Sequence, residues 1–194
     1  SCMETTPDGS LWVGSKRNGL TRIKGGVSTV FSLSKDSMST VIDDHINDLC
    51  TDKIGNLWIA TNGGLQVYNP RMNSFSSYTR ENGKLSTNNI TCLFYNRSGS
   101  TNDLLIGTAE GLIILNLSTT EKKVLTGNSN NIKTFTNNYI TRVFQDSRGL
   151  IWVGTREGLN ILNLETDDLD HITEKQGLCN NNICGIAEDK NHNL

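Results

Sequence analysis

The chain has 194 residues, enough for one or two domains with a sizeable core, so its stability need not come from disulfides or a metal. Eighteen basic against twenty acidic residues leave a formal charge of -2, which removes the broad positive field that non-specific binding to nucleic acid or anionic membrane requires. Abundant Gly (18), scarce Pro (2) and recurrent Thr, Ser and Asn favour short strands joined by tight polar turns, so an all-β fold is the first expectation.

In chain order, the predicted elements follow one scheme four times. The first unit, approximately 1–42, has a Pro7-Asp8-Gly9 turn, then Ser10-Leu-Trp-Val-Gly-Ser15, then Gly19-Leu20. The second, 43–86, opens with Asp44-His45-Ile46, turns through Asp52-Lys-Ile-Gly55, and continues with Asn56-Leu-Trp-Ile-Ala-Thr61 and Gly64-Leu65. Its apolar runs predict four strands, labelled a to d: Ile46 to Thr51, Asn56 to Thr61, Leu65 to Asn69 and Ser74 to Tyr78.

The third unit, 87–136, opens with Asn88-Asn89-Ile90. It places Asn96 where the other turn has Asp, adds three residues before Asp103-Leu-Leu-Ile-Gly-Thr108, substitutes Leu105 for the tryptophan, and continues with Gly111-Leu112. The fourth, 137–181, carries Asn138-Tyr139-Ile140, Asp146-Ser-Arg-Gly149, Leu150-Ile-Trp-Val-Gly-Thr155 and Gly158-Leu159. Residues 182–194 start a fifth copy, at the marker Asn181-Asn182-Ile183, with His192 where the turn glycine is expected.

The central positions 12, 58, 105 and 152 step by 46, 47 and 47, and the Gly-Leu pairs keep nearly the same period. About 45 residues carrying four strands is the size of one propeller blade. The expectation is therefore a β-propeller of four-stranded antiparallel blades, with residues 1–194 forming a single partial domain of a larger ring. Its open edges would pair with further blades of the same chain or of another protomer.

In the a-to-b turns Asp52-Lys-Ile-Gly55 and Asp146-Ser-Arg-Gly149, Asp can bond backbone amides and Gly can take a positive φ, whereas Pro7-Asp8-Gly9 builds the first unit's turn differently. The small residue Gly14, Ala60, Gly107 or Gly154 marks a strand against which something packs closely. Trp12, Trp58 and Trp152 are expected as core residues between blades.

No run approaches eighteen apolar residues, so no transmembrane segment or membrane contact is expected. Ser1 to Asp8 lack a secretory signal pattern, so the chain is cytosolic or its leader lies outside it. Five cysteines form no CxxC pair and are expected mainly as buried thiols, with a Cys179–Cys184 disulfide as the oxidised alternative. No HExxH or Gly-x-Ser-x-Gly motif exists, and no cofactor, metal or catalytic residue is expected. Asp167, Asp168, Asp170 and His171 form the densest ionisable group and are expected as a solvated outer strand or turn.

The combination of Asp-x-x-Gly, Leu-Trp-Ile/Val-Gly-Thr and Gly-Leu resembles the two-component regulator propeller repeat, across essentially all 194 residues. That resemblance implies the periplasmic sensor region of a Bacteroides-type hybrid histidine kinase, detecting glycan fragments and regulating polysaccharide-utilisation genes. It implies an oligosaccharide as the parent's ligand. No kinase, receiver or DNA-binding segment is present in this sequence, and the fragment is expected to be non-enzymatic.

Alternating turns of an up-and-down blade place the b-to-c turns and the d-to-a connections on one face. The candidate ligand residues there are Arg17, Asp44, His45, Asn62, Asn89, Glu110, Asn138, Arg156 and Asn182. Such an amide-rich funnel suits sugar hydroxyls, while the competing reading is that the Asn residues only form turns. A protein-binding scaffold and a propeller enzyme, such as a polysaccharide lyase or a quinone-dependent dehydrogenase, remain the alternatives.

Overall fold

The computed structural model describes residues 1–33, 41–95, 101–127 and 134–194. By internal packing the chain divides into two compact units, Ser1–Arg97 and Ser98–Leu194. Among the described residues sixteen strands form four sheets of four, and every sheet keeps its strands in chain order.

The first blade is β1 (Cys2–Thr5), β2 (Leu11–Gly14), β3 (Leu20–Lys24) and β4 (Val27–Phe31). The second is β5 (Ile46–Thr51), β6 (Leu57–Thr61), β7 (Gly64–Asn69) and β8 (Ser74–Tyr78). The third is β9 (Ile90–Tyr95), β10 (Asp103–Thr108), β11 (Gly111–Asn116) and β12 (Lys122–Leu125). The fourth is β13 (Ile140–Gln145), β14 (Ile151–Thr155), β15 (Gly158–Asn163) and β16 (Asp168–Ile172), followed by one turn of 3-10 helix at Glu174–Gln176.

These are antiparallel propeller blades, as the repeat predicts. The small departures have local causes. Strand β6 starts at Leu57 because the N–H and Nδ2 of Asn56 both donate to the Asp52 carboxylate at 2.9 Å, which holds Asn56 in the turn. Strand β7 starts at Gly64 because Gly64 pairs directly with Thr61. The unusual a-to-b turn of the third unit, at Asn96, lies outside the described residues.

Strands β6 and β14 are buried along their whole length, whereas β4 and β12 are largely exposed. The core of the first unit therefore lies between its blades. Trp12, Leu20, Ile46, Leu49, Leu57 and Tyr68 belong to one buried cluster, and the Trp12 and Tyr68 rings sit 5.0 Å apart. Trp58 and Trp152 are buried as well, at 3% and 8% exposure, so none of the three tryptophans offers a ring to a ligand.

Each tryptophan is tied to its own a-to-b turn. The Trp58 indole N–H donates to Asp52 and that of Trp152 to Asp146, both at 3.0 Å, while Trp12 donates to the Thr6 hydroxyl at 3.0 Å. The turns themselves close through Gly55 N–H to the Asp52 carbonyl and Gly149 N–H to that of Asp146. His192 repeats this bond to Asp189, with φ 64° at the position that Gly55 holds at 91°. The aspartate thus joins two motifs, the turn and the tryptophan six residues on.

A further repeated element escaped the sequence reading. Asn69, Asn116 and Asn163 begin the c-to-d turns, each accepting backbone N–H bonds on its side-chain oxygen. The turns end on the left-handed residues Asn73, Thr120 and Asp167.

The cysteines are free thiols. Cys92 is buried and Cys2 and Cys50 are half-buried, but Cys179 and Cys184 are exposed and form no disulfide, which corrects the expectation of burial for that pair. The reason is local: residues 178–187 form no strand that could turn these side chains inward.

Candidate functional site

The b-to-c turns are pinned by hydroxyls. Thr61, Thr108 and Thr155 each donate Oγ1–H to the glycine carbonyl three residues on, at 2.7, 2.8 and 2.9 Å. Each also accepts the N–H of the second turn residue, Gly63, Glu110 or Glu157. Ser15 does the same across a turn one residue longer, accepting from Asn18 at 2.7 Å. This pinning fixes the backbone and leaves the turn side chains Arg17, Asn62, Glu110 and Arg156 exposed.

The d-to-a connections meet these turns, as the alternation of an up-and-down blade requires. In the first unit Gly19 N–H donates to the Asp44 carbonyl at 3.1 Å. Within the second blade Asn47 Nδ2 bonds Asn62 Oδ1 at 2.8 Å. In the second unit the Arg156 guanidinium carbon stands 3.6 Å from the centroid of the Tyr139 ring.

The polar-polar-Ile marker resolves into two kinds of position. Its first residue faces back along the connection. Asp44 Oδ1 accepts Leu33 N–H at 2.7 Å, Asn88 Oδ1 accepts Arg80 N–H at 2.7 Å, Asn138 Oδ1 accepts Gly127 N–H, and Asn181 Oδ1 accepts Glu174 N–H at 2.8 Å. These side chains brace the backbone. The residue just before them, Asp43, Asn137 or Asn180, accepts the N–H two positions on.

The second marker residue, His45, Asn89, Tyr139 or Asn182, stands immediately before the isoleucine. The side chains of His45 and Asn89 take no hydrogen bond or ion pair among the described residues and are half-buried. The Asn182 side chain is exposed and, among the described residues, makes a long contact, 3.9 Å, with Cys184 Sγ. Of the predicted residues, the first unit gathers Arg17, Asp44, His45, Asn62 and Asn89. The second unit carries Glu110, Asn138, Arg156 and Asn182.

Tyr139 is the residue the sequence reading left out. Its signal was its place in the marker series beside His45, Asn89 and Asn182.

The acidic group at the fourth blade is solvated, as expected. Asp168, Asp170 and His171 are exposed on the outer strand β16, and Asp167 pairs with Lys123 at 2.6 Å. Among the described residues no group of three or more His, Cys, Asp or Glu side chains is arranged to hold a metal ion, and no helix is long and apolar enough to cross a membrane.

Two stretches, 40–63 and 134–157, match the family model described as two component regulator propeller. Each runs from just before strand a into the b-to-c turn. These stretches are two component regulator propeller repeats, and the other two units share their strand order and markers. No curated protein matches the sequence.

Among solved structures, the extracellular domain of a hybrid two component system from B. thetaiotaomicron is similar at TM-score 0.82 and 22% identity, over 98% of this chain and 26% of that one. A second such domain from B. thetaiotaomicron is similar at 0.79 and 19%, over 98% of this chain and 27% of that one. Virginiamycin B lyase from Staphylococcus aureus is similar at 0.64 and 12%, over 89% and 54%. At these identities the likeness is one of fold, and the chain spans about a quarter of the two extracellular domains.

Proposed function

We propose that this array of two component regulator propeller repeats is a ligand-sensing module in the periplasmic region of a hybrid two component system. Its ligands are glycan fragments, and the signal regulates polysaccharide-utilisation genes. The glycan meets the face made by the b-to-c turns and the starts of the a strands.

The observation that carries this reading is a division of labour on that face. The recurring Thr hydroxyls and the Asp44 and Asn138 side chains bond the protein's own backbone. The side chains of Arg17, His45 and Asn89 in the first unit and of Arg156 in the second make no hydrogen bond or ion pair among the described residues. Their donors and acceptors are available to sugar hydroxyls, which need such partners when they leave water. The fold does not choose between sensor and enzyme, since propellers host both. Ligand binding then acts on attached signalling segments by favouring one arrangement of the ensemble.

A thermal-shift screen of the chain against neutral and acidic oligosaccharides tests the reading, because selective binding to the native state raises Tm. The expected result is a rise for one glycan class that Arg17→Ala or Arg156→Ala diminishes. No shift with any glycan would move the assignment to a protein-binding scaffold.

A further inference from the structure

Arg156 and Tyr139 narrow the chemistry of the ligand, an inference that rests on the sensor reading above. Tyr139 precedes Ile140, which is fully buried at the start of β13, and its backbone N–H is held by Asn137 Oδ1 at 2.8 Å. Arg156 opens the b-to-c turn of the same blade, and Thr155 fixes that turn on both sides. With 3.6 Å between Cζ and the ring centroid, the guanidinium lies over the tyrosine face.

A free arginine on a surface loses rotamer freedom when it grips a ligand. Stacking on Tyr139 removes part of that loss beforehand, while the N–H edge stays unbonded among the described residues. That edge is a planar fork whose spacing matches the two oxygens of a carboxylate, and a neutral hydroxyl would engage one donor and leave the charge uncompensated.

The first unit repeats the sign independently. Arg17 is exposed in its b-to-c turn without an ion pair among the described residues, whereas Asp43 and Asp44 each commit an oxygen to a backbone N–H. We infer that Arg156, stacked on Tyr139, is a carboxylate subsite, so that the glycan recognised is one bearing uronic acid. Glu157, exposed beside Arg156, opposes the anion and tunes the subsite downward.

Titration calorimetry of the chain with trigalacturonate, a β-1,4-linked glucuronate trimer, their methyl esters and neutral xylo- and cello-trioses tests this. The esters keep ring and hydroxyls but remove the charge. One uronate trimer is expected to bind about tenfold or more tighter than its ester, with a preference that shrinks as salt rises. Arg156→Lys, which keeps the charge and loses the fork, should abolish most of that preference. Tyr139→Leu should weaken it, and Glu157→Gln should strengthen uronate binding severalfold, with unchanged circular dichroism and Tm as the folding control. Equal binding of acid and ester, binding of neutral trioses alone, or a preference that survives Arg156→Ala overturns the carboxylate subsite and leaves the sensor reading standing. Binding of no saccharide at all overturns both.

Discussion

Ile46 donates its backbone N–H to the Ser15 carbonyl at 2.8 Å, and its Cγ2 would stand 2.5 Å from a Cβ placed on Gly14. The second unit repeats the joint. Ile183 N–H donates to the Thr155 carbonyl at 3.0 Å, and its Cγ2 would lie 2.7 Å from a Cβ on Gly154. Two sequence markers from successive repeats, the small residue and the isoleucine, are therefore the two halves of one contact.

Neither Gly14 nor Gly154 has a positive φ, so packing alone opposes a side chain there. Gly154→Val is expected to lower stability by about 1–3 kcal/mol through overpacking. Gly154→Ala should lose less, because Ala60 already houses a Cβ at the equivalent position while remaining fully buried. Urea midpoints measure both, and an unchanged midpoint for the valine variant would refute the joint.

Asp146 accepts from four donor groups: the Trp152 indole, the Arg148 guanidinium, and the Arg148 and Leu150 backbone N–H groups. Asp146→Ala leaves a buried indole N–H unsatisfied and opens the turn. A loss of about 1–3 kcal/mol is expected from the orphaned donor, read by urea denaturation followed by tryptophan fluorescence. Asp146→Asn, which keeps one acceptor, should fall between the two.

Asp146 and, in the first unit, Asp8 also contribute to the response to acid. Burial pushes Asp146 up, but hydrogen bonds from Trp152 and Arg148 outweigh it and leave its pKa lowered. Burial also raises Asp8, and the bonds from Lys24, Thr6 and Ser10 more than reverse it, so this carboxyl sits well below the usual range. A depressed folded pKa means stability that is fully present above the unfolded carboxylate value, roughly 4, and lost as pH falls through the folded values. Tm should be insensitive to these two groups from pH 7 to about 5 and should drop below about 4, with a shallower acid limb in Asp146→Asn. Matching acid limbs in the two proteins would exclude Asp146 as a contributor.

Thr120 holds φ 64° at the end of its c-to-d turn, a left-handed conformation that costs a β-branched residue on the order of 1–2 kcal/mol. Asn73 and Asp167 hold the equivalent position at 49° and 54°, and Asn is the residue that tolerates it best after glycine. Thr120 is exposed. Thr120→Asn is therefore expected to raise Tm by about 2–4 °C per kcal/mol recovered. Calorimetry showing no rise would mean that the strain is relieved elsewhere.

The strands were legible because their signals are local. Ile46–Thr51 and Ser74–Tyr78 coincide with the expected bounds, since alternation and turn glycines fix each within a few residues. The c-to-d asparagines at 69, 116 and 163 were equally periodic yet unread, because a lone Asn carries little pattern without its left-handed partner four residues on. At the candidate site the face was legible and the roles were not. Asp44 and His45 are adjacent and both polar, but one braces Leu33 and the other makes no such bond among the described residues.

By itself the sequence determined the repeat, the four-stranded blade and which turns share a face, since hydrophobic period and turn chemistry act over neighbouring residues. Only the tertiary structure decided which polar groups are consumed. Asn138 meets Gly127 from eleven positions away and Arg156 meets Tyr139 from seventeen, and such partners depend on where a connection returns in space. Where Ile46 returns beside Gly14 and Ile183 beside Gly154, the return is met by a contact between segments that no local pattern encodes.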